Sequence, residues 1–441
     1  MDLVYILVVW IGVSSTSVHG YTYTRTNESL TNVPAGIPSN TTEISLRFNN
    51  ITGIGVNDFA NLSSLIKLDL AYNKISSIAE YAFKDLVKLE QMLLTENDLT
   101  SLQDHTFTGL LSLLELNLDY NEVSNSITND ALNLSSLTFL SIVKNQMSVL
   151  PNISKLTSLE KIYFQANVIT AIPANAFANV APVDIFFNGN HIPSLPPFGD
   201  SCRRLTTLRI FRMRLTHIPD NVLAACDKLA YIQISINSLT SLDWLKVLGD
   251  SMVTLHMTNN LLTTIGPETF VTVTKMRTLS FSNNRINSFD VRSLRYMTGM
   301  LLLHLDNNNI TSFADPHPWC QPNVCESMRI FLAGNPLVCD HTFCWAKYYT
   351  SFTLSRDGCF GKSWTAVTFQ DLGCEAHHVM MKLVEFANTA YYKKAVVFNS
   401  NFVRTSRIYL SISKCASWCT MENTCKYFQF EDKRNCTIWK L

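Results

Sequence analysis

Charge is scarce and balanced in this chain: 35 lysines and arginines stand against 35 aspartates and glutamates in 441 residues. No net field therefore draws it to nucleic acid or to an anionic membrane surface. The ten histidines form no HExxH, and neither a GxSxG elbow nor a phosphate-binding loop occurs. With no motif for hydrolytic, metal or phosphoryl chemistry, neither an enzyme nor a cofactor is expected. The one adjacent pair, His377 and His378, reads as exposed polar residues of a link rather than as metal ligands. Long apolar runs are equally few. Residues 3–13 form one, no second run of spanning length follows, and Thr437 to Leu441 carry no hydrophobic anchor signal. Cysteine is missing before Cys202.

What the chain does have is a period. Asparagine recurs at Asn49, Asn73, Asn97, Asn121 and Asn145, and the phase continues through Asn167, Asn190, Asn237, Asn260, Asn284, Asn308 and Asn335. Apolar residues stand five and three positions before each asparagine and two after it, as in Leu68, Leu70, Asn73 and Ile75. This LxxLxLxxNxI pattern resembles the leucine-rich repeat. Its physics is direct: two-residue alternation turns Leu68 and Leu70 to one face of a short strand, and a single coil cannot bury them. Stacked coils can, while the asparagine side chains satisfy backbone groups that would otherwise be buried unpaired.

The expected fold is an α/β repeat solenoid, a curved horseshoe with a parallel concave β-sheet, ending in a small disulfide-rich α+β module. About thirteen coils fill residues 41–337, with one phase lost where Met213 replaces the asparagine. Phe59, Phe83 and Phe107, each followed three residues later by a leucine, read as a packing spine on the convex side. The longer gap between Asn308 and Asn335 holds Cys320 and Cys325, which are expected to close a local loop.

Residues 1–20 have the form of a secretory signal peptide, with Val18 and Gly20 at the small-residue positions; an uncleaved membrane anchor is the competing reading. Twelve cysteines clustered late in the chain fit disulfides made in an oxidising compartment. Asn27, Asn40, Asn50, Asn61, Asn133, Asn152 and Asn309 are sequons open to glycosylation, and Asn435 qualifies formally beside Cys436. A secreted, extracellular glycoprotein with no membrane span is expected.

A solenoid must cover its terminal coils. Cys339, Cys344, Cys359 and Cys374, over residues 338–374, resemble the cysteine-rich carboxy-terminal cap of extracellular leucine-rich repeat proteins. That resemblance implies the pairs Cys339 with Cys359 and Cys344 with Cys374, although four residues rather than one separate the first two cysteines here. A zinc site including His341 is the alternative; spacing and compartment favour disulfides. Residues 21–40 look like the amino-terminal cap without its cysteines, and a hairpin held by packing is expected there. Cys202 and Cys226 occupy equivalent positions in adjacent coils, spaced at roughly 5 Å, so they either staple two coils or remain buried free thiols.

After a link over residues 375–384, the pattern Cys415, Cys419, Cys425 and Cys436 in residues 385–441 resembles the PAN/apple module, in a copy that looks short or incomplete. The resemblance implies bonds Cys415 to Cys436 and Cys419 to Cys425, with Tyr427, Phe428 and Phe430 in a strand. Such modules bind proteins or glycans, and a spacer role is the plainer reading.

The concave column between the inward residues runs Ser45, Asp69, Leu93, Asn117, Ser141, Tyr163, Phe186, Arg209, Gln233, His256, Ser280, His304. Polar at its ends, it becomes aromatic and cationic at its centre, where Phe139, Lys161, Phe211, Arg212 and Tyr231 join from neighbouring columns. Such residues dominate interface hot spots. They predict a ligand-binding face for an extracellular protein or glycan, in a recognition protein of host defence. Against this, Phe186 and Phe211 instead cover an irregular stretch of solenoid beside Met213. A matrix or adhesion component, or the ectodomain of a longer receptor, is the alternative function.

Overall fold

Leucines two residues apart build this chain. Leu68 and Leu70 are wholly buried on either side of Asp69, and the three-residue strand Lys67–Asp69 carries the first of them inward. The computed structural model describes residues 20–128, 130–316, 318–319, 324, 327–341, 343, 346, 352–353, 368, 370–372, 403–409, 425–430 and 435–440. The signal-peptide reading of residues 1–20 falls almost wholly outside these residues, as do Cys320, Cys325, Cys344, Cys359, Cys374, Cys415 and Cys419. The described chain divides into two units between Met252 and Val253.

In the first unit the strands Thr41–Ser45, Lys67–Asp69, Gln91–Leu93, Glu115–Asn117, Phe139–Ser141, Lys161–Tyr163, Asp184–Phe186, Thr207–Arg209 and Tyr231–Gln233 pair in parallel and in sequence order. Their register never slips: Leu68 lies opposite Met92, Met92 opposite Leu116 and Leu116 opposite Leu140, and the apolar column continues through Ile162, Ile185, Leu208 and Ile232. In the second unit Thr254–His256, Thr278–Ser280, Leu302–His304, Arg329–Phe331 and Phe352–Thr353 form a parallel sheet of the same kind.

The asparagines hold the turns that follow. Asn73 Nδ2 donates to Leu46 O at 2.9 Å and to Leu70 O at 3.0 Å, while its Oδ1 accepts from Ile51 N at 3.1 Å. One side chain thereby joins two coils and leaves no buried amide orphaned. Asn97, Asn121, Asn167 and Asn190 repeat the pattern in the first unit, and Asn284, Asn308 and Asn335 in the second. The residue before the asparagine takes a left-handed backbone: Phe48, Tyr72, Glu96, Tyr120, Lys144 and Ala166 have φ between 52° and 56°, as does Arg212 before Met213. Bulky side chains are strained there.

The return side is made of turns. Phe59, Phe83 and Phe107 stack there at 6.0 and 6.3 Å, the spine anticipated from their spacing. Short 3-10 segments occur at Gly199–Arg204 and Asp243–Val247 in the first unit and at Val291–Tyr296 in the second. Among the described residues, α-helix is confined to Val324 and Ser327, so the helical share of the expected α/β repeat is small. Coils of 22 to 24 residues leave too little chain for a full helix after strand and turn.

The amino-terminal segment differs from the hairpin expected of it. Tyr21–Thr24 adds a parallel strand to Thr41–Ser45, and Asn49 Oδ1 accepts from Glu28 N at 2.9 Å and Leu30 N at 3.1 Å. The exposed edge is covered by main chain because the asparagine turn of the first coil has free acceptor capacity for it. Cys202 and Cys226 are joined as a disulfide with Cα atoms 4.7 Å apart, closing a 24-residue separation. Cys339 is also disulfide-bonded. Near the end of the chain, Val403–Tyr409 and Cys425–Phe430 flank Asn435–Lys440 in an antiparallel sheet, placing Tyr427, Phe428 and Phe430 in a strand.

Candidate ligand-binding face

In-register pairing turns the central column of the first unit into a stack. Ser141, Tyr163, Phe186, Arg209 and Gln233 are successive neighbours across the sheet, and Phe139, Lys161, Asp184, Thr207 and Tyr231 form the column beside them. The Phe139 and Tyr163 rings lie 5.1 Å apart, and Tyr163 and Phe186 lie 4.4 Å apart. The Arg209 guanidinium then sits between two aromatic faces, 5.0 Å from Phe186 and 5.0 Å from Tyr231. Five of the seven residues singled out by sequence thus make one continuous stack.

Their roles divide. Phe186 is only 7% exposed, covered by Tyr163 and Arg209, and its ring offers little surface to a partner. Tyr163, Arg209, Tyr231, Phe139 and Phe211 remain half-buried, with Lys161 and Arg212 exposed. Phe186 thus packs beneath its neighbours in the face. Arg209 Nε is shielded from solvent and has no hydrogen-bond partner among the described residues; aromatic faces support the cation instead. Burial raises the Tyr163 phenol above its ordinary pKa; the Asp184 charge adds to the rise and Arg209 opposes it. The phenol stays neutral at physiological pH, a hydrogen-bonding tip on an aromatic body.

Phe211 and Arg212 stand past the strand, at the turn where Met213 replaces asparagine. Phe211 N donates to Asn188 Oδ1 at 3.2 Å and Arg212 N to Ser235 O at 3.1 Å. Met213 is fully buried, and its N–H and that of Leu215 converge on Asn237 Oδ1, each at 3.0 Å. One asparagine from the next coil thus serves two donors at the missing rung. Of the sequons, Asn50 is half-buried and Asn27, Asn40, Asn61, Asn133, Asn152 and Asn309 are exposed.

Two features of the face escaped the sequence reading. Phe48 and Tyr72, 49% and 40% exposed, stack at 4.5 Å with the Arg47 guanidinium 5.1 and 5.5 Å from their rings. The signal lies in the aromatic residues at the left-handed position before the asparagine, outside the strand columns. The second is a half-buried carboxylate. Asp119 accepts from Ser141 Oγ at 2.5 Å and Val143 N at 2.7 Å, and burial raises its pKa against these bonds. Because the folded protein holds this proton more tightly than the unfolded chain, Asp119 destabilises the fold increasingly as pH rises from about 4 through its folded pKa. Asp119→Asn, which keeps an acceptor and removes the charge, should raise the denaturant midpoint at pH 7 more than at pH 4. Equal midpoint changes at both values would refute the assignment.

A family model described as leucine rich repeat matches residues 39–99, 88–147 and 250–310. A second, the BspA type leucine rich repeat region, matches residues 152–247. No curated protein matches the chain. Among solved structures, the chain is similar to the plant peptide hormone receptor RGFR1 in complex with RGF2, with a TM-score of 0.59 and 20% identity over 76% of this chain and 54% of that one. It is also similar to the glycosylated Toll–Spatzle complex of Drosophila, with a TM-score of 0.57 and 21% identity over 80% of this chain and 60% of that one. It therefore spans only part of the length of each. At such identities the likeness establishes the fold alone.

Proposed function

The chain belongs to the leucine-rich repeat family, and from that premise we propose that it is a secreted glycoprotein recognition module. Its sheet face binds an extracellular protein or glycan around Tyr163, Arg209, Phe211, Arg212 and Tyr231, in the setting of innate recognition. The carrying observation is the guanidinium of Arg209 stacked between Phe186 and Tyr231 on the open face of the strands. Aromatic and arginine side chains braced by one another are pre-organised, so ordering them on binding costs little. The two solved relatives hold a peptide hormone receptor with RGF2 and Toll with Spatzle, which agrees with a binding role rather than a catalytic one.

In the same reading residues 1–20 are a leader, residues 338–374 a cysteine-rich cap and residues 385–441 a PAN/apple-like module. Cys339 with Cys359, Cys344 with Cys374, Cys320 with Cys325, Cys415 with Cys436 and Cys419 with Cys425 are its remaining disulfides. The test is capture of a partner from extracellular fluid by the secreted protein. Alanine at Tyr163, Phe211 and Tyr231 together should lower capture by about 30-fold or more, the loss of roughly 2 kcal/mol or more expected of hot-spot side chains. Secreted yield should hold. Undiminished capture by a folded triple variant would refute the site.

A further inference from the structure

Tyr21–Thr24 stands at the end of the sheet in the first unit, paired with Thr41–Ser45, and among the described residues no strand lies on its other side. Arg25 N donates to Ser45 O at 2.9 Å and Asn27 N to Arg47 O at 3.1 Å. Tyr23, Arg25 and Asn27 thus turn their N–H groups toward the first coil, and by alternation the N–H and C=O groups of Thr22 and Thr24 point out of the free edge. Such an edge is a template for one more strand. Natural edges are blunted by charge or proline, whereas Tyr-Thr-Tyr-Thr has neither and consists of residues that favour strands.

The side chains alternate too. Tyr23 lies opposite Ile44, which is 1% exposed, so Tyr21, Tyr23 and Arg25 share the face that later coils turn to the core. No coil precedes them among the described residues. Tyr21 is left 48% exposed and Tyr23 half-buried, an end column only partly covered. Asn27 and Ser29 have φ of 58° and 59°, which ends the extended run, so a glycan at Asn27 stands past it.

We propose that this edge joins a second copy of the chain, the two Tyr21–Thr24 strands pairing antiparallel about a two-fold axis at Tyr23. Self-complementarity selects that occupant over an unrelated peptide. Thr22 and Thr24 exchange main-chain hydrogen bonds with the second copy's Thr24 and Thr22, and the Tyr23 side chains meet as the non-hydrogen-bonded pair between them. Each Arg25 then faces the second copy's Tyr21, a cation against an aromatic ring, and no like charges oppose. A register centred on Arg25 would instead set two guanidinium groups against each other. The contact is isologous and closed, so it yields a dimer rather than a filament. It also continues the core column of one copy onto that of the other, covering the tyrosines.

Sedimentation equilibrium of the purified full-length protein over about 1–100 μM should show a monomer–dimer equilibrium. Thr24→Pro removes an outward N–H and spares the donors that pair with Thr41–Ser45. It should weaken association by about tenfold or more and leave the unfolding midpoint unchanged. Tyr23→Cys meets itself across the axis, with Cβ atoms about 4.5 Å apart, and should cross-link the dimer under mild oxidation. Tyr21→Cys, displaced along the strand from its own copy, should not. A monomer at every concentration would overturn the proposal, as would a dimer that Thr24→Pro leaves intact. Equal cross-linking through Tyr21→Cys and Tyr23→Cys would do so too, because the two-fold at Tyr23 brings only one of these positions together.

Discussion

Asn121→Leu should destabilise the first unit by about 3 kcal/mol, a far larger loss than an exposed substitution next to it, such as Glu122→Ala, at about 0.5 kcal/mol or less. The reason is the asymmetry of what the carboxamide leaves behind. Asn121 Nδ2 donates to Leu94 O at 2.9 Å and Leu118 O at 3.1 Å, and Oδ1 accepts from Leu99 N at 3.1 Å. The two carbonyls keep other donors, since Asn97 Nδ2 reaches Leu94 O at 3.1 Å and Asn145 Nδ2 reaches Leu118 O at 3.0 Å. Leu99 N loses the side-chain acceptor that the turn provides. Leucine fills the volume, so the loss reports hydrogen bonding rather than a cavity. Urea unfolding measures it, and amide exchange should rise at Leu94, Leu99 and Leu118 while coils farther along stay protected, because a solenoid couples nearest neighbours. A midpoint within experimental scatter of the parent would remove the ladder from the account of stability.

The ladder was also the part of the fold most legible from sequence, and the reason is physical. An asparagine that must donate to two carbonyls and accept from one amide has no substitute among the other side chains, so the requirement is written at a fixed period. The inward leucines are legible for a similar reason, because a one-residue slip would turn them to solvent. Other features obey no such rule. Tyr21–Thr24 pairs through main-chain groups that any sequence supplies, so its parallel strand left no trace in residue types. The return segments are turns rather than helices because of coil length, which periodicity in apolar residues does not distinguish. At the site, the column Ser141, Tyr163, Phe186, Arg209 was readable from phase alone. That Phe186 lies beneath its neighbours was not, since an outward-pointing aromatic is exposed or covered according to the rotamers of Tyr163 and Arg209. Met213 marks the remaining limit: the missing rung was visible, but its repair by Asn237, which takes two donors, depends on where the next coil stands.

Phe186→Ala should lower stability by about 3 kcal/mol and reduce the secreted yield, whereas Phe186→Leu should recover most of both. At 7% exposure the ring is a filled position, 4.4 Å from the Tyr163 ring and 5.0 Å from the Arg209 guanidinium. Truncation to alanine removes both contacts and leaves a space that Tyr163 and Arg209 collapse into only partly, which places the cost at the lower end for an aromatic-to-alanine change. Arg209 loses one of its two aromatic supports, and its unpartnered Nε then gains access to water. Any loss of partner capture in Phe186→Ala would therefore be indirect, through an Arg209 no longer held in place. The leucine variant separates the effects: it restores packing but not the aromatic face, so it should unfold close to the parent while partner capture stays reduced about threefold, in keeping with a cation–aromatic contact of about 0.5–1 kcal/mol. Denaturant midpoints and capture measured on the same secreted samples decide between the roles. If Phe186→Ala unfolds with the parent yet loses all capture, Phe186 touches the partner directly and the packing assignment fails.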